Sequence, residues 1–105
     1  MQYIAKMQYM DAELLTAGKE IWDDGTIVEI VIWRVPEPLT PCAHHFKYRL
    51  YCGKDGACLV RYDNERGKGD HRHISGREES YRFTSPEKLL ADFERDVRQL
   101  TENKS

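Results

Sequence analysis

The sequence predicts an α+β fold in which an antiparallel sheet of four to five strands carries one C-terminal helix on a single face. Three observations point there. Short apolar and alternating stretches recur from residue 12 to residue 83 between turns marked by Gly, Asp and Pro. Ser85-Pro86 then opens a segment whose apolar residues return at helical spacing as far as Leu100. A length of 105 residues suits a single domain, residues 1–105, with one small core.

Glu13 to Trp22 alternates and ends at the Asp23-Asp24-Gly25 turn. Thr26 to Val35 is rich in β-branched residues and apolar on both faces apart from Glu29 and Arg34, the pattern of a central strand. Pro36, Pro38 and Pro41 lack the donor a ladder needs, so Pro36 to Pro41 is a stiff connection. Upstream, Tyr3, Met7, Met10 and Leu14 recur at helical spacing, which is compatible with a short helix over residues 1–10. Residues 1–11 are therefore set apart as an N-terminal extension of a sheet spanning 12–83.

A three-residue loop at Lys54-Asp55-Gly56 would set Cys52 opposite Cys58, Leu50 opposite Val60 and Tyr48 opposite Tyr62. Lys47 would then face Asp63, Arg49 would face Arg61 and Tyr51 would face Leu59 on the other side. Gly67 and Gly69 mark a loop within Tyr62 to His73, and after a turn at Ser75-Gly76 a short last strand is expected over Glu79 to Phe83. The helix is expected over 85–101. Ser85 caps it, Pro86 takes its first position, and Leu89, Leu90, Phe93, Val97 and Leu100 form the buried stripe. Asp92, Glu94, Arg95 and Arg98 fall on the wet side, Glu94 and Arg98 at the supportive i,i+4 spacing.

With 40% hydrophobic and 32% charged residues, the composition is globular rather than disordered. No apolar run is longer than that of Ile30 to Trp33, far short of the ~20 residues of a membrane span, and no apolar signal-peptide core opens the chain. Cys42, Cys52 and Cys58 are odd in number and fit neither a disulfide framework nor a cysteine-based zinc site. A reducing cytoplasm and no membrane partner are the expectations. The net charge of −2 conceals a division: −4 over residues 1–30, +4 over 31–77 and −2 over 78–105. His44, His45, His71 and His73 all lie in the basic middle, the place to seek affinity for phosphates.

The densest polar constellation joins Arg61, Asp63, Asn64, Glu65, Arg66, Lys68, Asp70, His71, Arg72 and His73 with Lys47 and Arg49 of the neighbouring strand. Metal-free RNA cleavage needs a base for the ribose 2′-hydroxyl, an acid for the leaving oxygen and a cation for the phosphorus oxygens. His71 or His73 with Asp63 or Asp70 supplies the catalytic part, and Lys47, Arg49, Arg61, Arg66, Lys68 and Arg72 the substrate contacts. Arg61, Asp63, Arg66, Lys68, His71 and His73 are expected to converge on one partly exposed concavity. Alternatively, His-x-His on an extended segment presents two imidazoles to zinc, although two surface histidines are the commoner meaning. Structural readings stand beside these. Asp63 pairing with Lys47, and Asp70 with Arg72 or Arg66, would make half the constellation structural. Gly67-Lys68-Gly69 lacks the spacing of a phosphate-binding P-loop. Trp22 and Trp33 read as core or sheet-face aromatics, and His44 and His45 as polar loop residues.

Val28 to Arg34, Phe46 to Leu50 and above all Arg61 to His73, with its Arg-Tyr-Asp-Asn-x-x-Gly and His-Arg-His runs, resemble the TumE family of bacterial toxin–antitoxin proteins. Leu90, Asp92-Phe93 and Asp96-Val97 of the last helix are similar too, and the resemblance runs from about residue 12 to residue 98. It implies a small cytoplasmic toxin neutralised by a helix-turn-helix antitoxin. With the local chemistry, the expectation is a toxin acting on RNA as a metal-independent ribonuclease, without cofactor, through the basic His/Arg/Asp loop. A non-catalytic module that binds RNA, ribosome or antitoxin is the alternative, and a metal-dependent hydrolase on His71 and His73 the third.

Overall fold

The computed structural model describes residues 11–102, so the helical spacing over residues 1–10, left open between helix and extension, lies outside the described residues. Six strands follow in chain order: β1 (Glu13–Ile21), β2 (Ile27–Arg34), β3 (Phe46–Lys54), β4 (Ala57–Glu65), β5 (Gly69–Ile74) and β6 (Arg77–Ser80), before one helix, α1 (Pro86–Glu102). They form a single antiparallel meander in the order β1-β2-β3-β4-β5-β6.

Six strands replace the expected four to five because the stretch from Tyr62 to His73, taken as a loop, is a hairpin. Gly67 and Gly69, at φ of 91° and 80°, supply the left-handed backbone that turns β4 directly into β5. Gly69 also lies under the proline-rich connection, where an added Cβ would stand 3.4 Å from Pro41 Cγ. The last strand is displaced as well. Ser75 and Gly76, both at positive φ, form a two-residue turn that pairs Ile74 with Arg77, so β6 ends at Ser80 and leaves Tyr81 and Phe83 to pack on the core.

The β3–β4 register is likewise corrected. Asp55 and Gly56, at φ of 54° and 79°, form a two-residue turn rather than a three-residue loop, and a bulge follows between Cys52 and Gly53. Cys52 therefore pairs with Val60, Leu50 with Tyr62 and Arg49 with Asp63. The displacement of two residues keeps nearly every side chain on its expected face while exchanging its partner. Cys58 is the exception: it lies opposite Gly53 and away from Cys52.

Helix α1 packs chiefly on β4 and β3. Ser85 caps it, its Oγ accepting from Lys88 N at 3.1 Å. Leu89, Phe93 and Val97 meet Ile32, Tyr48, Leu50, Cys52, Val60 and Tyr62 in the main core. The expected wet side needs correction at Asp92, which is buried. Its carboxylate accepts from Tyr81 Oη at 2.7 Å and Lys88 Nζ at 2.9 Å. One turn on, Asp96 accepts from the Tyr62 hydroxyl and, at 3.1 Å, from Arg72 Nη1. The helix is thus anchored by a polar seam beside its apolar stripe.

Desolvation alone would raise the Asp92 carboxyl, yet the hydrogen bonds from Lys88 and Tyr81 outweigh it and hold it below its ordinary value. A depressed folded-state value stabilises the fold above the unfolded carboxyl's pKa, and that contribution is lost as pH falls below about 4. Asp92→Asn should therefore lower stability at pH 7 and flatten the acid limb of stability against pH in denaturant unfolding.

Candidate functional site on the open sheet face

The helix covers one face of the sheet. Strand alternation sends the odd-numbered residues of β4 and β5 to the other, and cross-strand pairing aligns them in rows. One row runs Glu29, Tyr51, Arg61, His73 and Glu78, and the next runs Arg49, Asp63, His71 and Ser80. Four of the expected site residues, Arg61, Asp63, His71 and His73, are thereby brought together.

Proton positions follow from the partners of each imidazole. His71 is buried, and its Nδ1 lies 3.1 Å from the Gly69 carbonyl, which can only accept, so Nδ1 carries a proton. Its Nε2 then stands 2.6 Å from Asp63 Oδ1, a separation at which an imidazolium and a carboxylate attract and two bare acceptors repel. His73 has the opposite role. Its Nε2 receives Arg61 Nη2 at 2.7 Å, and a guanidinium can only donate, so this nitrogen offers its lone pair. The two rings meet edge to face with centroids 5.7 Å apart.

Glu78 completes the group, its Oε2 lying 3.6 Å from Nε2 of both His71 and His73. Arg61 Nε approaches Asp63 Oδ2 at 3.4 Å. Even so, Arg61 Nε and Asp63 Oδ1 are buried atoms without an aligned hydrogen bond, since the His71 contact to Oδ1 is short but oblique. Two buried polar atoms left over at one place are unusual in a folded protein and single out this corner.

The remaining expected residues are distributed elsewhere. Asp70 and Arg72 alternate with the two histidines and so lie on the helix side. Asp70 accepts from Tyr48 Oη at 2.6 Å and from His44 Nε2 at 2.8 Å, while Arg72 pairs with Glu79 and Asp96. Lys68, on the β4–β5 turn, reaches Glu78 at 4.0 Å and remains at the edge of the site. Arg66 instead lines a neighbouring groove with Lys47, Glu65 and Pro36. Arg49 projects from the open face with its guanidinium 5.2 Å from the Tyr51 ring.

Sequence reasoning missed Glu78 and Tyr51. Glu78 becomes legible once Ser75-Gly76 is taken as a two-residue hairpin turn, because that turn places it opposite His73. Tyr51 could have been found from Gly53, since the tyrosine hydroxyl occupies the space a side chain at 53 would need. His44, read as a loop residue, belongs to the Asp70 network and stacks on Phe83 at 4.0 Å.

A six-stranded meander closed by one helix, with titratable groups gathered on the sheet face away from that helix, defines a small α+β protein. The family model for Toxin TumE matches residues 6–101, and the chain belongs to that toxin family. An antitoxin partner goes with membership of such a family in general. No curated protein and no solved structure matches the chain significantly. Among the described residues, no helix is long and apolar enough to cross a membrane.

Proposed function

We propose that this toxin acts on cytoplasmic RNA as a metal-independent ribonuclease through the open face of β4, β5 and β6, and that a helix-turn-helix antitoxin neutralises it. The observation that carries the reading is the complementary state of two adjacent imidazoles, one offering a lone pair and one holding a proton, beside a guanidinium. His73 Nε2 takes the proton of a ribose 2′-hydroxyl as Arg61 turns from it to the phosphate. The 2′-oxygen attacks phosphorus, the bond from phosphorus to the 5′-oxygen breaks, and His71 Nε2 returns a proton to that oxygen. The products are a 2′,3′-cyclic phosphate and a 5′-hydroxyl. Asp63 positions His71, and the Arg61 guanidinium steadies the charge on the phosphorus oxygens. RNA is the substrate because its own 2′-hydroxyl supplies the nucleophile.

Arg49, with Lys47 two residues before it on the same face, supplies phosphate contacts, and the half-buried Tyr51 ring beside it offers a surface for a base. Arg49→Ala should weaken RNA binding and reduce the slope of log affinity against log salt by about 0.7, the change expected for one phosphate contact on a single strand. Fluorescence anisotropy at a series of salt concentrations measures this.

The reading is tested by incubating the purified 105-residue chain with total RNA in EDTA, beside an Arg61→Ala preparation. Cleavage by the wild type, strongly reduced by the substitution, supports it. Growth arrest in cells together with intact RNA in vitro supports instead the module that binds without cleaving.

A further inference from the structure

The same corner has the makings of a cation site. His71 Nε2, His73 Nε2 and a Glu78 carboxylate oxygen lie within 4.8 Å of one another, and Asp63 Oδ1, buried and without an aligned hydrogen bond, adjoins them. Three acceptors converge on His71 Nε2, and the donors among them are the His71 proton and Arg61. An imidazole binds zinc through a lone pair while its other nitrogen keeps its proton, commonly donated to a backbone carbonyl. His71 already has that support, from Nδ1 to the Gly69 carbonyl. In His73, Nε2 is likewise the acceptor nitrogen.

A second cluster, Cys42, His44 and Asp70, has comparable spacing and shows why tautomers decide. There His44 Nδ1 accepts from Phe46 N at 3.1 Å, so Nε2 carries the proton and donates it to Asp70. Turning Nε2 toward a metal would move the proton to Nδ1 and set it against the Phe46 N–H. Asp70, moreover, already accepts from Tyr48 Oη and His44. That cluster is satisfied by its own hydrogen bonds.

We propose that His71, His73 and Glu78, with Asp63 beside them, form a zinc site, and that zinc bound there switches off RNA cleavage. Zinc displaces the proton on His71 Nε2 and takes the lone pair of His73, the two features the cleavage reaction uses. The site rests on geometry alone, while the inhibition rests on the ribonuclease reading above. Arg61 must leave His73 for zinc to enter, so it competes with the metal.

The test is calorimetric titration of zinc sulfate into the tag-free, EDTA-stripped and desalted 105-residue chain, with RNA cleavage followed over the same zinc range. The expected result is one zinc per chain, affinity reduced at least tenfold in His73→Ala and in Glu78→Gln, and no change in His44→Ala. Glu78 is half-exposed, so its substitution keeps the experiment decisive even where a histidine variant folds poorly. Cleavage should fall in step with zinc occupancy. Absent binding, or binding indifferent to Glu78→Gln and His73→Ala, overturns the site. Zinc binding as expected with no cleavage at any zinc concentration upholds the site and overturns the ribonuclease reading, and the inhibition with it. Zinc-stimulated cleavage upholds the site and overturns the inhibition.

Discussion

His73→Ala should lower RNA cleavage by about 10²- to 10⁴-fold, the usual contribution of a positioned acid or base, with little change in melting temperature. The two halves of that expectation come from the same geometry. The side chain is a quarter exposed, touches Arg61 and Glu78 on the open face, and has no part in the core beneath the helix. Its loss removes the lone pair that takes the 2′-hydroxyl proton and leaves the packing intact. His71→Ala should match it in activity but also destabilise the fold, because that ring is buried, hydrogen-bonded to the Gly69 carbonyl and in close contact with Asp63. Asp63→Asn separates the roles. It keeps the shape of the site but removes the carboxylate that faces His71 Nε2, so cleavage should fall while RNA affinity changes little. Single-turnover cleavage rates, with thermal melts of each variant, check all three.

Phe93→Ala should cost about 3–5 kcal/mol, the range for deleting a buried aromatic ring whose surroundings cannot collapse. Phe93 is 2% exposed at the centre of the only helix among the described residues. It meets Tyr62 edge to face at 5.9 Å. Leu89 and Val97 sit one turn away on either side, and both depend on the helix lying at its present height above β3 and β4. The polar seam of Asp92 and Asp96 resists that collapse, since lowering the helix would break bonds to Tyr81, Tyr62 and Arg72. Denaturant unfolding at neutral pH measures the loss. A value below about 1 kcal/mol would mean that the helix does not close the core.

The helix was the most legible element, because the Ser85-Pro86 start and the stripe from Leu89 to Leu100 are both local signals. β2 was equally plain from its β-branched run. The β4–β5 hairpin was not, since a glycine at positive φ looks the same in a tight turn and in an open loop; only pairing of the flanking residues distinguishes them. The β3–β4 bulge was hidden for a different reason. A shift of two residues leaves each apolar position apolar, so the pattern that excludes a slip of one is blind to it.

At the site, period-two alternation would have separated Asp70 and Arg72 from His71 and His73 once the segment was taken as a strand. Buried Asp92 escaped notice because helical periodicity reports a direction and not a partner, and Tyr81 comes from a segment beyond the last strand. The Arg61, Asp63, His71 and His73 cluster was legible because all four fall at alternate positions on two segments close in sequence.

The central claim is that the open face cleaves RNA by using the substrate's own 2′-hydroxyl. It is tested most directly with an oligonucleotide carrying one ribose in an otherwise 2′-deoxy strand, incubated with the wild-type chain in EDTA and followed by end-group analysis. The account predicts a single cut, 3′ of the ribose, leaving a 2′,3′-cyclic phosphate and a 5′-hydroxyl, and no cut in the all-deoxy strand. Cuts at deoxy positions, products bearing 5′-phosphates, or an intact strand with protein that arrests growth would contradict it.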